Sequence, residues 1–475
     1  MKTTINKRKL GVWLPNRLFQ ALKREIIGYN ETCCGSKIDL TKATYIMNLL
    51  YYIPLISDGK YMDGWIPICS KALNRIKGYK KYIKFLQDKD FLDKDIIEYS
   101  TISNNCKKYK LGNAFKKHML DFHWLEDNSH FIKKSNEFKM SRMKIVDDMC
   151  PYLTKWLNPE LLTIDSEEAL KYTRNTYKKD FEINKKNKRI YSIKSIENKC
   201  WSYSREGLDN RLHSIFTSIP KDLRKFIKYN HEDLISLDIK NSQPFIYASI
   251  LNQLINPNIN MMNTYLSNDE EYNTLHVSTM LDLFHSNLNY NEIQVFVNQV
   301  LDGTFYEHFG DILYNEGLIS KDVDGQCLVC MPKKEKGNWI RKHVKYKNLR
   351  KASKEVVMLI LFSSENHSSD LKNVFMNHYP EIYRITQSIK KGREKNFFPV
   401  LLQNIEANCV LDYCTRLISN RYPEMPLFTI HDSVVTTTSY RTILEEELNR
   451  LLGFYFGLNP KLAFETWTQQ MEKVG

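Results

Sequence analysis

The stretch LRKASKEVVMLILFSSEN, residues 349–366, decides the fold. Within it Arg350, Lys354, Met358 and Phe362 recur every four residues. That spacing sets two cations and then two apolar side chains along one slowly drifting helix face. A nucleoside triphosphate asks for this order, with cations for its phosphates and an apolar wall for base and sugar. By itself the pattern is better read as an ordinary amphipathic helix. Its neighbours change the reading.

Immediately upstream, PKKEKGNWIRKHVKYKNLRKASK (332–354) carries ten Lys/Arg and one Glu, with Trp339 and Tyr346 interleaved. Further out lie two acids at the ends of strand-like runs. In DLISLDIKNSQPFIYASIL (233–251) an apolar run ends at Asp238, followed by a turn and a helix with Pro244 near its start. In EMPLFTIHDSVVTTT (424–438) two β-rich runs flank His431-Asp432-Ser433, so a hairpin presents Asp432 at its tip. An acid at the end of a buried strand is costly unless it meets a cation or a metal. Two carboxylates on adjacent strands suit a pair of Mg²⁺ ions about 3.5–4 Å apart. Singly, Asp238 reads equally well as a helix cap and Asp432 as a turn acid.

Taken together, these segments resemble the three motifs of the family A polymerases, which comprise DNA polymerase I and the single-subunit phage-type RNA polymerases. The stretch from Asp238 with Ser242-Gln243 is similar to motif A, the helix Arg350…Lys354…Met358…Phe362 to motif B, and His431-Asp432-Ser433 to motif C. Three lesser matches fall in the same order. NRLHSIFTSIPKDLRKF (210–226) resembles the segment whose arginine, here Arg211, contacts the primer terminus. FMNHYPEIYRIT (375–386) is similar to a Tyr-Pro segment after motif B, and Gln403 with Glu406-Ala407 to a helix lining the duplex minor groove. The likeness covers roughly 205–440.

The resemblance implies an α+β fold: a right-hand polymerase palm built on an antiparallel sheet, with helical fingers. It implies a nucleotidyltransferase in which Asp238, Asp432 and the backbone carbonyl of Ile239 hold two Mg²⁺ ions. Lys354 would serve the α-phosphate and the leaving pyrophosphate, and Arg350 the γ-phosphate. Met358 and Phe362 would flank base and sugar, while Arg211, Gln403 and His431 would sit near the primer end. The implied partners are DNA template and primer and nucleoside triphosphates.

Departures bear on the sugar. Two extra residues separate Asp238 from Ser242-Gln243, and Pro244-Phe245 stand where DNA polymerases carry the glutamate that excludes ribose. Phe362 replaces the usual tyrosine, and expected glycines are missing. Phe245 or Phe362 is then the candidate apolar gate against a 2′-hydroxyl. The 27 residues from Arg211 to Asp238 and the Tyr-Pro segment favour a DNA product, whereas Met358 and His-Asp-Ser favour RNA. A single-subunit RNA polymerase stays open, as does a winged-helix DNA-binding protein with a degenerate polymerase domain. A reverse transcriptase fits less well, because Tyr-x-Asp-Asp is absent.

The rest of the chain frames this core. Its 475 residues carry 69 Lys+Arg against 55 Asp+Glu, and 69 − 55 gives +14. The balance suits a nucleic-acid partner, although Asn, Lys, Ile and Tyr are abundant throughout, as an AT-rich gene would produce. Residues 1–125 read as a winged-helix-like N-terminal domain: two short helical patterns around Gly78, then strand-like runs DIIEYSTI and NCKKYKLG about a Ser103-Asn104-Asn105 turn. Its second helix is basic (Lys77, Lys80, Lys81, Lys84). Residues 126–205 read as a helical basic arm or reduced thumb, and 206–475 as palm and fingers, the fingers at approximately 265–400. No acid-rich strand pattern suggests a proofreading exonuclease. Cys327 and Cys330, with His343, form a weak metal candidate lacking a second pair. Scattered cysteines, the absence of a long apolar run and a basic N-terminus without an apolar segment point to the cytoplasm of a bacterial or phage-infected cell, with no membrane partner.

Overall fold

The computed structural model describes residues 9–57, 61, 64–98, 106–115, 118–126, 130–256, 288–335, 338–364, 369–394 and 396–468. The Ser103-Asn104-Asn105 turn and residues 265–287 of the expected fingers lie outside them. The chain is mixed α+β and divides into two units: residues 1–204, 213–234 and 466–475 in one, residues 205–212 and 235–465 in the other. Among the described residues, no helix is long and apolar enough to cross a membrane.

In the first unit, β1 (Lys9–Leu14) pairs antiparallel with β4 (Asp121–Glu126). Helix α1 (Asn16–Thr32) buries Leu18, Leu22 and Ile26 at four-residue spacing. Helix α2 (Leu40–Ile56) is apolar almost throughout and is started by Asp39, whose carboxylate accepts from the Lys42 N–H at 2.8 Å. Then follow β2 (Ile66–Pro67), α3 (Ser70–Leu73), α4 (Tyr79–Asp88) after left-handed Gly78, and β3 (Lys108–Tyr109), which pairs with β2. Ile97, in the first of the two expected wing strands, bridges to Lys108, and Leu92 to Leu111; residues 99–105 lie outside the described ones. Lys77, Lys80 and Lys84 are exposed, while Lys81 turns back to the Ser36 hydroxyl and the Lys37 carbonyl.

Residues 126–205, expected as a helical basic arm or reduced thumb, pack on the N-terminal elements. Helices α5 (His130–Met149) and α8 (Ile183–Glu197), separated by α6 (Pro151–Thr154) and α7 (Ser166–Thr176) and followed by α9 (Ile215–Ser218), bring Phe131, Ile132 and Ile190 into the same buried cluster as Val12, Leu22 and Ile46. Asn187 ties the two parts together, accepting from the Leu120 N–H at 3.0 Å and donating to the His118 carbonyl at 3.2 Å. A few large side chains suffice to dock a mainly polar helix, because each buried one is worth about 1.5–3 kcal/mol. Still in this unit, β5 (Leu162–Ile164) and β6 (Ile227–Tyr229) pair antiparallel, and Asn230-His231, both left-handed, turn β6 tightly into β7 (Glu232–Ile239).

From Ile235 onward β7 belongs to the second unit. There α10 (Ser242–Ile255) is buried on nearly every side. Helices α11 (Tyr290–Asp302), α12 (Phe305–Asn315), α13 (Leu349–Phe362), α14 (Asp370–His378) and α15 (Pro380–Lys390) gather around an aromatic cluster of Phe296, Phe305, Phe309, Phe375 and Tyr379. Between α12 and α13 stands a sheet of β8 (Ile319–Lys321), β9 (Cys327–Glu335) and β10 (Asn338–Tyr346). After α16 (Phe397–Ala407), β11 (Phe428–Ile430) and β12 (Ser433–Thr437) form an antiparallel hairpin, with β12 beside β7. Helix α18 (Arg441–Phe456), preceded by the short α17 (Arg416–Arg421), is followed by β13 (Leu462–Thr466), which pairs with β7.

Candidate functional site

Two acids meet at the strand ends. β7 is buried from Leu234 to Leu237, and Asp238 follows half-buried at its end. The β11–β12 hairpin is closed by Ile430 opposite Ser433, so His431 and Asp432 are the whole turn. His431 sits at φ 56°, a left-handed conformation that costs a non-glycine residue about 1–2 kcal/mol. The Ile239 N–H donates to the Asp432 carbonyl at 3.4 Å, so the β11–β12 turn lies beside the end of β7.

A third carboxylate lies close to Asp432. Glu406 on α16 is only 1% exposed. One of its oxygens accepts from Arg211 at 2.6 Å and the other from the Gln243 amide at 2.6 Å. Burial pushes its carboxyl up to about 7; Arg211 opposes the shift and the nearby charge of Asp432 adds to it. The segment 205–212 is held in this unit by more than that contact. Arg205 forms a bidentate pair with Asp412 at 2.7 and 2.6 Å, and the Asn404 amide donates to the Leu208 carbonyl at 2.6 Å. Gln403 is half-buried on the same helix, three residues before Glu406.

Helix α13 brings the cations. Asn348 caps its start, accepting from the Lys351 N–H at 2.9 Å. Ala352, Ser353, Val356, Val357, Ile360 and Leu361 are buried, so Arg350, Lys354, Met358 and Phe362 keep the more open face. Arg350 donates to both carboxylate oxygens of Glu307 at 2.6 and 2.8 Å and to the Asn241 side-chain oxygen at 3.1 Å. Asn241 is left-handed at φ 56° and stands three residues after Asp238, so α13 begins beside the turn that follows the first acid. Lys354 is exposed and makes no hydrogen bond or ion pair among the described residues. At the other end buried Lys390 donates to the Ile360 and Ser363 carbonyls at 3.0 and 2.9 Å. Its ammonium is pushed down to about 8 by burial and by Lys372.

Two sequence expectations change. Phe245 is 2% exposed and packs edge-on against Phe456 at 5.1 Å, so it lies in the core. Of the two candidate gates, only Phe362 has open surface. Cys327 and Cys330 are three apart on a strand and therefore point to opposite faces, one buried and one exposed. They cannot share an ion.

Among the described residues no group of three or more His, Cys, Asp or Glu side chains is disposed to hold a metal. Asp238 and Asp432 offer a sparser donor set of two hard carboxylates. That set fits Mg²⁺, which keeps several waters and binds through one or two carboxylates plus substrate phosphates.

The pairings of Arg211 with Glu406 and of Arg350 with Glu307 were not read from the sequence. The one available signal was that Glu406 follows Gln403 by three residues, on the same side of a helix.

No protein-family model matches the chain, nor does any curated protein sequence. Among solved structures it is similar to the POL domain of Pol1 from M. smegmatis, in complex with DNA primer-template and dNTP. That likeness has 10% identity and a TM-score of 0.24, covering 63% of this chain and 55% of that one. The chain thus spans about half the length of that structure, and a likeness at this level carries no argument about fold or activity.

Proposed function

We propose that the second unit is the catalytic core of a template-directed nucleotidyltransferase, a right-hand polymerase with palm and fingers that extends a primer on a DNA template. The observation that carries this reading is convergence. The turn that carries Asp432 bonds to the end of β7 one residue after Asp238, and Arg350 of the cation-bearing helix bonds to Asn241 in the turn that follows Asp238. Six sequence segments in the family's order support it as well.

Asp238, Asp432 and the Ile239 carbonyl would hold two Mg²⁺ ions. When bound, these supply a lowered pKa at the primer 3′-hydroxyl and charge neutralisation at the pyrophosphate. The primer 3′-hydroxyl gives its proton to solvent, its oxygen bonds to the α-phosphorus, the bond to the β,γ-diphosphate breaks, and pyrophosphate leaves. Lys354, uncommitted on its helix face, pairs with the α-phosphate and protonates the leaving group. Arg350 exchanges Glu307 for the γ-phosphate. Met358 and Phe362 wall the base and sugar, and Phe362 is the gate against a 2′-hydroxyl. Arg211, Gln403 and His431 attend the primer end. The exposed lysines of α4, as part of a winged-helix-like domain, contact DNA phosphates upstream.

The 27-residue spacing from Arg211 to Asp238 and the Tyr-Pro segment favour deoxynucleotides. Extension of one labelled primer–template with dNTPs and NTPs in parallel tests the reading. Mg²⁺-dependent extension with dNTPs is expected. Preference for NTPs would shift the assignment to RNA synthesis, and extension with neither would refute it.

A further inference from the structure

β9 and β10 pair along their whole length, from Cys327 opposite Tyr346 to Glu335 opposite Asn338. Directly opposite residues of an antiparallel pair share a face. One face therefore holds Cys327 with Tyr346, Val329 with Val344, and Met331 with Lys342. Cys327, Val329, Met331 and Tyr346 are buried, so this face packs inward. The other face holds Leu328 with Lys345, Cys330 with His343, and Pro332 with Arg341, and alternation puts Trp339 on it as well. Here Cys330, Arg341, His343 and Lys345 are exposed, and Trp339 leaves 65% of its surface open.

Trp339, Arg341, His343 and Lys345 form a row with a repeat of about 6.7 Å, twice the rise of a strand residue. A stretched single strand of nucleic acid repeats its phosphates on a similar scale, with one base face per nucleotide to stack. We propose that this open face binds single-stranded nucleic acid, a base stacked on Trp339 and the backbone following Arg341 and His343. On the polymerase reading, on which this identification of the strand rests, it is the unpaired template. A duplex is the poorer occupant, since its bases already stack on each other and offer the indole no face. Two acids temper the row. Arg341 approaches Asp370 at 3.6 Å with both side chains 69% exposed, a pair that a phosphate readily displaces. Lys345 is bound more firmly to Asp322 at 2.7 Å and serves chiefly to hold β10 to the preceding turn.

The test uses the full chain without nucleotide or metal, and fluorescently labelled oligothymidylate as the probe. Stacking on an aromatic is worth about 1–3 kcal/mol per base, so Trp339→Ala should weaken oligothymidylate binding by about five- to hundredfold. Trp339→Phe should restore most of that loss, and binding of a blunt duplex should be unchanged in both variants. Circular dichroism melting should be unaltered, as befits an exposed position. Wild-type affinity in Trp339→Ala would overturn the proposal. Trp339-dependent binding to anionic phospholipid vesicles in place of oligothymidylate would overturn it too. Loss of oligothymidylate binding alongside absent primer extension would leave the ribbon standing and the polymerase reading refuted. Extension with unaltered binding would do the reverse.

Discussion

Glu406→Gln separates the cost of a buried carboxylate from its contacts. Glu406 is 1% exposed, and its carboxyl is pushed from 4.5 up to about 7 despite the Arg211 guanidinium at 2.6 Å. The difference, 7 − 4.5, is about 2.5 units, and at 1.36 kcal/mol per unit it amounts to about 3 kcal/mol. The sign follows from the direction of the shift. The folded protein holds the proton more tightly than the unfolded chain. The stability this group contributes is present in full below pH 4.5, falls as pH rises, and is lost once pH passes 7. Glutamine keeps the shape and cannot titrate. Equilibrium urea unfolding of the metal-free protein, repeated from pH 4 to pH 8, reads the effect. Stability of the wild type minus that of Glu406→Gln should fall by about 3 kcal/mol across that range. The loss of the charge opposite Arg211 adds an offset that does not change with pH. Parallel profiles for the two proteins would refute the reasoning, and a difference that rises with pH would reverse its sign.

Three further outcomes are expected. Lys390 is pushed down to about 8, so wild-type stability should rise between pH 8 and 10.5 as the ammonium loses its proton, by up to about 3 kcal/mol. Lys390→Met should abolish that rise in the same unfolding assay. A Cβ on Gly310 would stand 2.9 Å from Leu349 and 3.3 Å from Ser353, where α12 meets α13. Gly310→Ala should therefore lower the melting temperature although alanine favours a helix by about 1 kcal/mol, because overpacking costs about 1–3 kcal/mol; a higher melting temperature would contradict that packing. Lys354→Ala should slow single-turnover nucleotide addition by about 10²–10⁴-fold, with primer–template affinity unchanged in a binding titration.

Local signals were legible in the sequence and long-range ones were not. The four-residue period of Arg350, Lys354, Met358 and Phe362 located the open face of α13, because a helix face is fixed by spacing alone. Asp238 and Asp432 were found at strand ends for the same reason: apolar runs stop where a carboxylate begins. The burial of Phe245 was not legible, because α10 is buried on nearly every side and periodicity gives its residues no outward face. The docking of residues 126–205 was not legible, because their polar composition outweighs the few side chains that make it. Cys327 and Cys330 match a metal spacing only if the backbone turns between them, and a strand sends them apart. The ion pairs Arg211–Glu406 and Arg350–Glu307 join residues 195 and 43 apart, and nothing local announces such partners.

The central claim is that Asp238 and Asp432 together hold the metal ions of nucleotidyl transfer. Single-turnover primer extension with Mg²⁺ and dNTPs, comparing the wild type with Asp238→Asn and Asp432→Asn, addresses it directly. The account predicts that each variant loses extension by at least about a thousandfold while binding primer–template as the wild type does. Wild-type extension in either variant would contradict it.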